Sequence, residues 1–179
     1  MTEATSTRLW VMRAGYLALC MAVMFFQLLP LGTVPRSFAG PDLLLAFTLA
    51  WAARRPEYVP LLSIAAIALL ADFLFQRPPG LWATLLVLAS GAVKRRAAGL
   101  RGQTFAVEWL NISVVMICVL LLYRLVLSTL MIPQAPLLLA TIQILMSIAT
   151  YPLIVLITTL AFGVQPAQPG DGDTLGGRA

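Results

Sequence analysis

The sequence lacks histidine altogether, which removes the commonest general base, proton relay and transition-metal ligand. It has only two cysteines, Cys20 and Cys118, and each lies in the middle of an apolar run. No C-x-x-C or other metal-binding spacing is present, so we predict neither a metal site nor a bound cofactor. We interpret both cysteines as small hydrophobic residues, with an intramembrane disulfide or redox pair as the alternative.

Charged residues are also scarce. They make up 11% of the 179 residues, hydrophobic residues make up 60%, and the mean hydropathy is +0.92. Soluble domains contain about 25% charged residues, and disordered chains have low hydrophobicity, so both classes are excluded. The net charge of +5 comes from basic residues in short clusters between apolar runs. Such clusters indicate membrane topology rather than a nucleic-acid surface.

The apolar runs predict an all-α, polytopic integral membrane protein with six transmembrane helices. The predicted spans cover residues 10–29, 41–53, 58–75, 79–93, 105–130 and 136–162. The second and fourth are only about 20 Å long, against about 30 Å of hydrocarbon. Such segments can be covered by neighbouring helices, thin the bilayer or be re-entrant; we favour spans. Residues 1–164 are predicted to form one membrane domain, and 165–179 a disordered cytoplasmic tail.

The distribution of basic residues predicts that both termini are cytoplasmic. In that orientation the outer segments hold Arg36 and Arg77, with Arg124 near the outer end of the fifth span. The inner segments hold Arg8, Arg13, Arg54, Arg55, Lys94, Arg95, Arg96, Arg101 and Arg178. This bias follows the positive-inside rule. We also expect the aromatic residues at span boundaries to lie in interfacial belts, with Trp10, Trp51, Tyr58 and Trp109 on the inner side and Trp82 and Tyr123 on the outer side.

A few polar residues interrupt the apolar runs, and intramembrane ionisable groups are functional candidates. Asp72 lies late in the third span. One interpretation is a polar group that anchors the outer loops or a partner protein, and the other is a near-interfacial carboxylate paired with Arg77 or Arg36. Asp42 follows Pro41 and is placed to cap the second helix. Arg124 either extends to the interface or pairs with Asp72 or Asp42. Glu108 is expected to be an interfacial acid in the first turn of its helix.

Small residues at helical spacing form two faces that allow close helix packing. One consists of Ala14, Ala18 and Ala22 in the first span, and the other of Ala65, Ala68 and Asp72 in the third. The sequence leaves open whether these faces pack within this chain or against another.

Two short motifs between residues 36 and 81 carry a resemblance to a known family. Pro41-Asp42 opens the second span and is followed by Leu43-Leu44-Leu45, and Asp72 is followed by Gly80 and Leu81 at the start of the next helix. With these motifs and six spans, the chain resembles the MreD family of rod shape-determining membrane proteins. The family often has glycine one turn before the aspartate, where this chain has Ala68.

The resemblance implies a non-enzymatic scaffold or regulator of the bacterial cell-elongation complex, in the inner membrane. It implies a bitopic MreC-like partner and, through it, an MreB-like filament and the peptidoglycan synthases. The expected partner-binding or structural residues are Arg36, Pro41, Asp42, Asp72, Gly80 and Arg124. No catalytic residue is predicted, because an enzyme acting on lipid-linked substrates needs a polar cluster and only isolated polar residues are visible.

The family is also similar in shape to the six-helix substrate-binding subunits of vitamin transporters. The alternative function is therefore that of a small-molecule-binding subunit of an uptake transporter. It requires an outward-facing polar pocket near Asp72 and Arg124. The sequence argues against such a pocket, because few Asn, Gln, Tyr or Trp side chains fall in the outer halves of the predicted helices.

Overall fold

The computed structural model of the chain describes residues 2–29, 40–100 and 102–164. Within these ranges it contains six α-helices, a short 3-10 helix and no β-strand, which confirms the predicted all-α class. The α-helices are α1 (Thr2–Leu28), α2 (Leu43–Arg54), α3 (Leu61–Leu74), α4 (Leu81–Leu100), α5 (Phe105–Thr129) and α6 (Leu137–Phe162). The 3-10 helix, Pro56–Tyr58, connects α2 to α3.

Three of the helices are long and apolar enough to cross a membrane: Thr7–Leu28 within α1, and the whole of α5 and α6. They contain 22, 25 and 26 residues, so each is at least about 33 Å long. The other two strongly apolar helices, α2 and α3, have only 12 and 14 residues. The predicted tail, 165–179, lies outside the described residues, as does Arg36.

Prolines and charged residues account for two places where the helices depart from the predicted spans. The third span was predicted over residues 58–75, but α3 begins at Leu61 because Pro56 starts the 3-10 helix and Pro60 occupies the N-cap position. The fourth was predicted to end at residue 93, whereas α4 continues to Leu100. Charged residues exclude a segment from the bilayer core without ending a helix, so the hydropathy boundary and the helix boundary differ here.

Contacts between non-adjacent residues define two ends of the helix bundle. At the first, which we call the Asp72 end, Asp72 contacts Gly80, and Asp42 contacts Arg77 and Ser147. At the second, the Glu108 end, Glu108 contacts Arg54, and Arg13 donates to the backbone carbonyl of Glu57. Consecutive helices therefore run in alternating directions between these two ends.

The short helix α2 lies at the centre of the bundle. All its residues from Leu44 to Arg54 are buried, and it packs against α1, α4, α5 and α6. Its length is about 18 Å, whereas α6 is about 39 Å long. The backbone N–H of Asp42 donates to Ser147 Oγ (2.8 Å), a residue about 15 Å along α6 from Leu137. The start of α2 is thus recessed within the bundle at the Asp72 end.

Candidate functional site

Asp72 is fully buried and caps the N-terminus of α4 from the neighbouring helix α3. Its Oδ2 accepts hydrogen bonds from the backbone N–H groups of Gly80 (2.8 Å) and Ala83 (3.2 Å). These N–H groups have no acceptor within α4, and the positive end of the helix dipole also favours a carboxylate there. Gly80 has φ +86°, a conformation that glycine adopts without steric cost. The two motif residues, Asp72 and Gly80, therefore join α3 to α4 through a hydrogen bond.

Asp42 caps α2 in the ordinary way, with Pro41 before it. Its Oδ1 accepts a hydrogen bond from the backbone N–H of Leu45 (3.0 Å). The helix begins directly after Asp42, which agrees with the helix start predicted from the sequence. Both motif carboxylates, Asp42 and Asp72, therefore cap a helix at the same end of the bundle.

Arg77 pairs with Asp42 and not with Asp72. Its Nη1 lies 4.0 Å from Asp42 Oδ2, and its guanidinium lies over the rings of Phe75 and Trp82, at 5.3 and 4.9 Å from their centroids. The predicted pairing of Asp72 with Arg77 is thus wrong, because Asp72 Oδ2 is held by the α4 backbone and the guanidinium is held against the two rings. The other predicted partner, Arg36, is outside the described residues.

Arg124 pairs with neither aspartate. Its Nη1 donates to the backbone carbonyl of Ala135 (3.1 Å), and its own carbonyl accepts from Gln134 Nε2 (3.1 Å). Across residues 2–29, 40–100 and 102–164, no carboxylate oxygen lies within 4.0 Å of its guanidinium. The side chain is half-buried and binds the α5–α6 connection.

A cavity of about 630 Å³ lies beside these residues at the Asp72 end. Among the described residues, the charged ones in its lining are Asp42, Arg77 and Arg124. Its other polar lining residues are Gln27, Trp82, Tyr123, Gln134, Gln143 and Ser147. The start of α2 lies deep in the bundle, and the cavity lies beyond it, lined by residues of the longer helices α1, α5 and α6. The volume lies within the range of about 300–1,000 Å³ that is typical of small-molecule sites.

The cavity overturns the expectation that the outer helix halves lack the polar groups of a pocket. Glutamine side chains reach it from α1, from the α5–α6 connection and from α6. A signal for it exists in the sequence: Gln143 and Ser147 lie four residues apart in an apolar run, so they share one face of α6. Only the packing of the helices brings this face opposite Asp42 and Arg77.

A buried polar network at the Glu108 end was also missed from the sequence. Arg54 binds Glu108 in a bidentate pair, with Nε to Oε1 at 2.9 Å and Nη2 to Oε2 at 3.2 Å. Tyr151 donates its hydroxyl hydrogen to Glu108 Oε1 (2.8 Å), and Arg54 Nη1 donates to Thr159 Oγ1 (3.3 Å). Glu108 lies in the first turn of α5, as predicted, but its side chain is buried against Arg54 and Tyr151 and does not face an interface, because α2, α5 and α6 pack around it. The network joins these three helices.

Two tryptophans predicted for interfacial belts are buried instead. Trp51 is fully buried and packs against Tyr16, Tyr58 and Phe162, with ring centroids 5.4–6.4 Å apart. Trp82 is 5% exposed and lies at the wall of the cavity, where its ring packs edge-on against Tyr123. Each lies near the end of its helix, but its side chain faces the interior of the bundle.

The described residues contain no group of three or more acidic or cysteine side chains that could hold a metal ion. Both cysteines are free thiols; Cys20 is buried, as predicted, but Cys118 faces outward on α5. Comparison with family models, curated proteins and solved structures finds no match to this chain.

Proposed function

We propose that this protein is a multi-pass scaffold or regulator in the inner membrane of a bacterium, acting in cell elongation by binding a single-pass MreC-like partner. The resemblance of its two motifs to those of the MreD family supports this function. Through the partner the protein would engage an MreB-like filament and the peptidoglycan synthases. In this proposal Asp42, Asp72 and Gly80 hold the helices in register, and the contact with the partner is made elsewhere, on the outer faces of the helices.

The observation that carries the proposal is the small-residue face of α1. Ala14, Ala18 and Ala22 are all exposed, whereas Ala68 and Asp72 of the corresponding face on α3 are buried within the chain. A face of small residues allows a second helix to approach closely in the membrane, where dispersion contacts drive helix association. The α1 face is free to receive the transmembrane helix of a partner.

Co-purification tests this assignment. An Ala18→Leu variant, extracted in mild detergent, is expected to retain about tenfold less MreC-like partner than the unmodified chain, because the larger side chain separates the two helices. Ala149→Leu is the matched control, since Ala149 is exposed on α6, away from the α1 face. Partner recovery that is equal for both variants would contradict binding at α1. Unchanged cell width and partner recruitment after depletion of the protein would contradict the function itself.

The proposal includes six spans with both termini in the cytoplasm. The alternating directions of α1–α6 are compatible with this topology, as is the concentration of exposed basic residues, including Arg95 and Arg96, at the Glu108 end. In this topology the short helix α2 would cross the membrane without exposing its ends to lipid, because longer helices surround it.

A second candidate function is that of a small-molecule-binding subunit of an uptake transporter. The cavity at the Asp72 end favours it, since this cavity combines a volume of about 630 Å³ with charged and neutral polar groups from several helices. Thermal-shift screening of the purified protein with vitamins and other small metabolites tests this function. A reproducible rise in melting temperature is the expected result, and the absence of any stabilising compound is the contrary one.

A further inference from the structure

The charges around the cavity do not balance. Asp42 is compensated by the Arg77 guanidinium at 4.0 Å and by the Leu45 N–H that it caps. Asp72 Oδ2 accepts from the N–H groups of Gly80 and Ala83 at the start of α4, and Asp72 Oδ1 is buried without a partner among the described residues. Arg124 has one hydrogen bond to a backbone carbonyl, and no carboxylate of the described ranges pairs with it. Among the described residues that line the cavity, Asp42, Arg77 and Arg124 therefore carry a net charge of +1.

One further group at the cavity wall could bind an anion, whereas the N-terminus of α2, which also borders the cavity, is already capped by Asp42. Trp82 lines the same wall, and its Nε1 is buried without a hydrogen-bond partner among the described residues. A buried donor without an acceptor is costly, so a ligand that reached this N–H with an acceptor group would gain a hydrogen bond.

The rest of the lining is apolar. Leu45, Leu120, Leu127, Leu139 and Ile144 contribute to the cavity from α2, α5 and α6. A fully hydrated anion such as inorganic phosphate would leave this surface without contacts. A molecule with an anionic head and a hydrocarbon body would satisfy both parts of the wall.

We propose that the cavity at the Asp72 end binds an anionic amphiphile, a molecule with a carboxylate or phosphate head and an apolar body, and that Arg124 binds the head. This inference rests on the second proposed function, binding of a small molecule in the cavity, and is independent of the scaffold function.

The test measures binding of radiolabelled dodecanoate and of radiolabelled dodecanol to the full chain in phosphatidylcholine nanodiscs, with empty nanodiscs subtracted. We expect dodecanoate to bind about tenfold or more tightly than dodecanol, because only the carboxylate forms charge-assisted hydrogen bonds with Arg124. Arg124→Gln is expected to remove this difference by weakening dodecanoate alone, and Arg124→Lys to keep the preference. Arg95→Gln is the matched control, an exposed arginine at the Glu108 end, and should change nothing.

A cavity-filling variant locates the binding. Ala140 is 7% exposed and lines the cavity, so Ala140→Phe is expected to reduce the binding of both probes. Equal affinity for the two probes, or an unchanged dodecanoate affinity in Arg124→Gln, would overturn the anionic assignment while leaving small-molecule binding in place. Binding of neither probe above empty nanodiscs would overturn both. Because Arg124 is half-buried, its variants keep the inference testable even where Ala140→Phe does not fold.

A last comparison separates two sources of the same chemistry, a lipid headgroup and a free amphiphile. Nanodiscs in which part of the phosphatidylcholine is replaced by phosphatidylglycerol supply an anionic lipid phosphate. Loss of dodecanoate binding in these nanodiscs assigns the site to the headgroup of a membrane lipid. Unchanged binding assigns it to a free carboxylate or phosphate amphiphile.

Discussion

At the residue scale, the informative feature is a carboxylate that caps a helix other than its own. Asp72 belongs to α3, yet its Oδ2 accepts hydrogen bonds from two backbone N–H groups at the start of α4. Because Asp72 is fully buried, water does not replace such bonds, so the cost of losing them is larger than at an exposed helix end. The pair also requires Gly80, since the chain turns there with φ +86°.

We predict that Gly80→Ala lowers the free energy of unfolding by about 1–2 kcal/mol. A Cβ at this position meets no atom within 4 Å, so the cost comes from the positive φ alone. Gly91→Ala is the matched control, because Gly91 lies inside α4 and a Cβ there also has open space. It should instead raise stability by about 0.5–1 kcal/mol. Unfolding in a denaturing-detergent titration measures both, and effects of the same sign would contradict this account.

At the scale of helices, the Glu108 end is held by a buried ion pair. Arg54 of α2 binds Glu108 of α5, and Tyr151 of α6 donates to the same carboxylate. Each charge is costly to bury alone, but the bidentate geometry and the tyrosine hydrogen bond satisfy most of their donors and acceptors. Because the three residues come from three helices, the network sets how α5 and α6 lie against the central helix.

Breaking the Arg54–Glu108 pair should strongly lower the free energy of unfolding. We predict that Glu108→Gln lowers the free energy of unfolding by about 3–5 kcal/mol, because Arg54 is left buried without a counter-charge. The double variant Arg54→Met, Glu108→Leu should recover most of the loss. Glu57→Gln is the control, since its pair with Arg55 is partly exposed and should change stability by less than about 1 kcal/mol. A Glu108→Gln effect as small as that of the control would show that the pair contributes little.

At the scale of the whole molecule, the central fact is a short helix surrounded by longer ones. α2 has 12 residues and α6 has 26, and their ends cannot both coincide. The polar network aligns the end of α2 with α6 near Thr159, so most of the length difference, about 15 Å of about 21 Å, falls at the Asp72 end, where the cavity lies. The same arrangement keeps the ends of α2 within protein, as a membrane environment requires.

The proposed topology predicts a labelling pattern. In a Cys20→Ala, Cys118→Ala background, Met131→Cys should react with a membrane-impermeant maleimide in intact spheroplasts, because Met131 is 92% exposed between α5 and α6. Gln103→Cys, between α4 and α5 at the other end, should react only after lysis. The reverse pattern would invert the topology, and labelling of both positions before lysis would contradict a membrane crossing by α5.

The sequence by itself determined the helical class, the capping of α2 by Asp42 and most helix boundaries. Hydropathy, proline placement and capping act within a few residues, so they can be read locally. Tertiary structure decided that Arg77 pairs with Asp42, that Glu108 is buried against Arg54, and that polar groups from α1, α5 and α6 meet around a cavity. These features depend on the position of each helix along the bundle relative to its neighbours. Contacts between residues far apart in the chain set that position, so it cannot be predicted from a local sequence pattern.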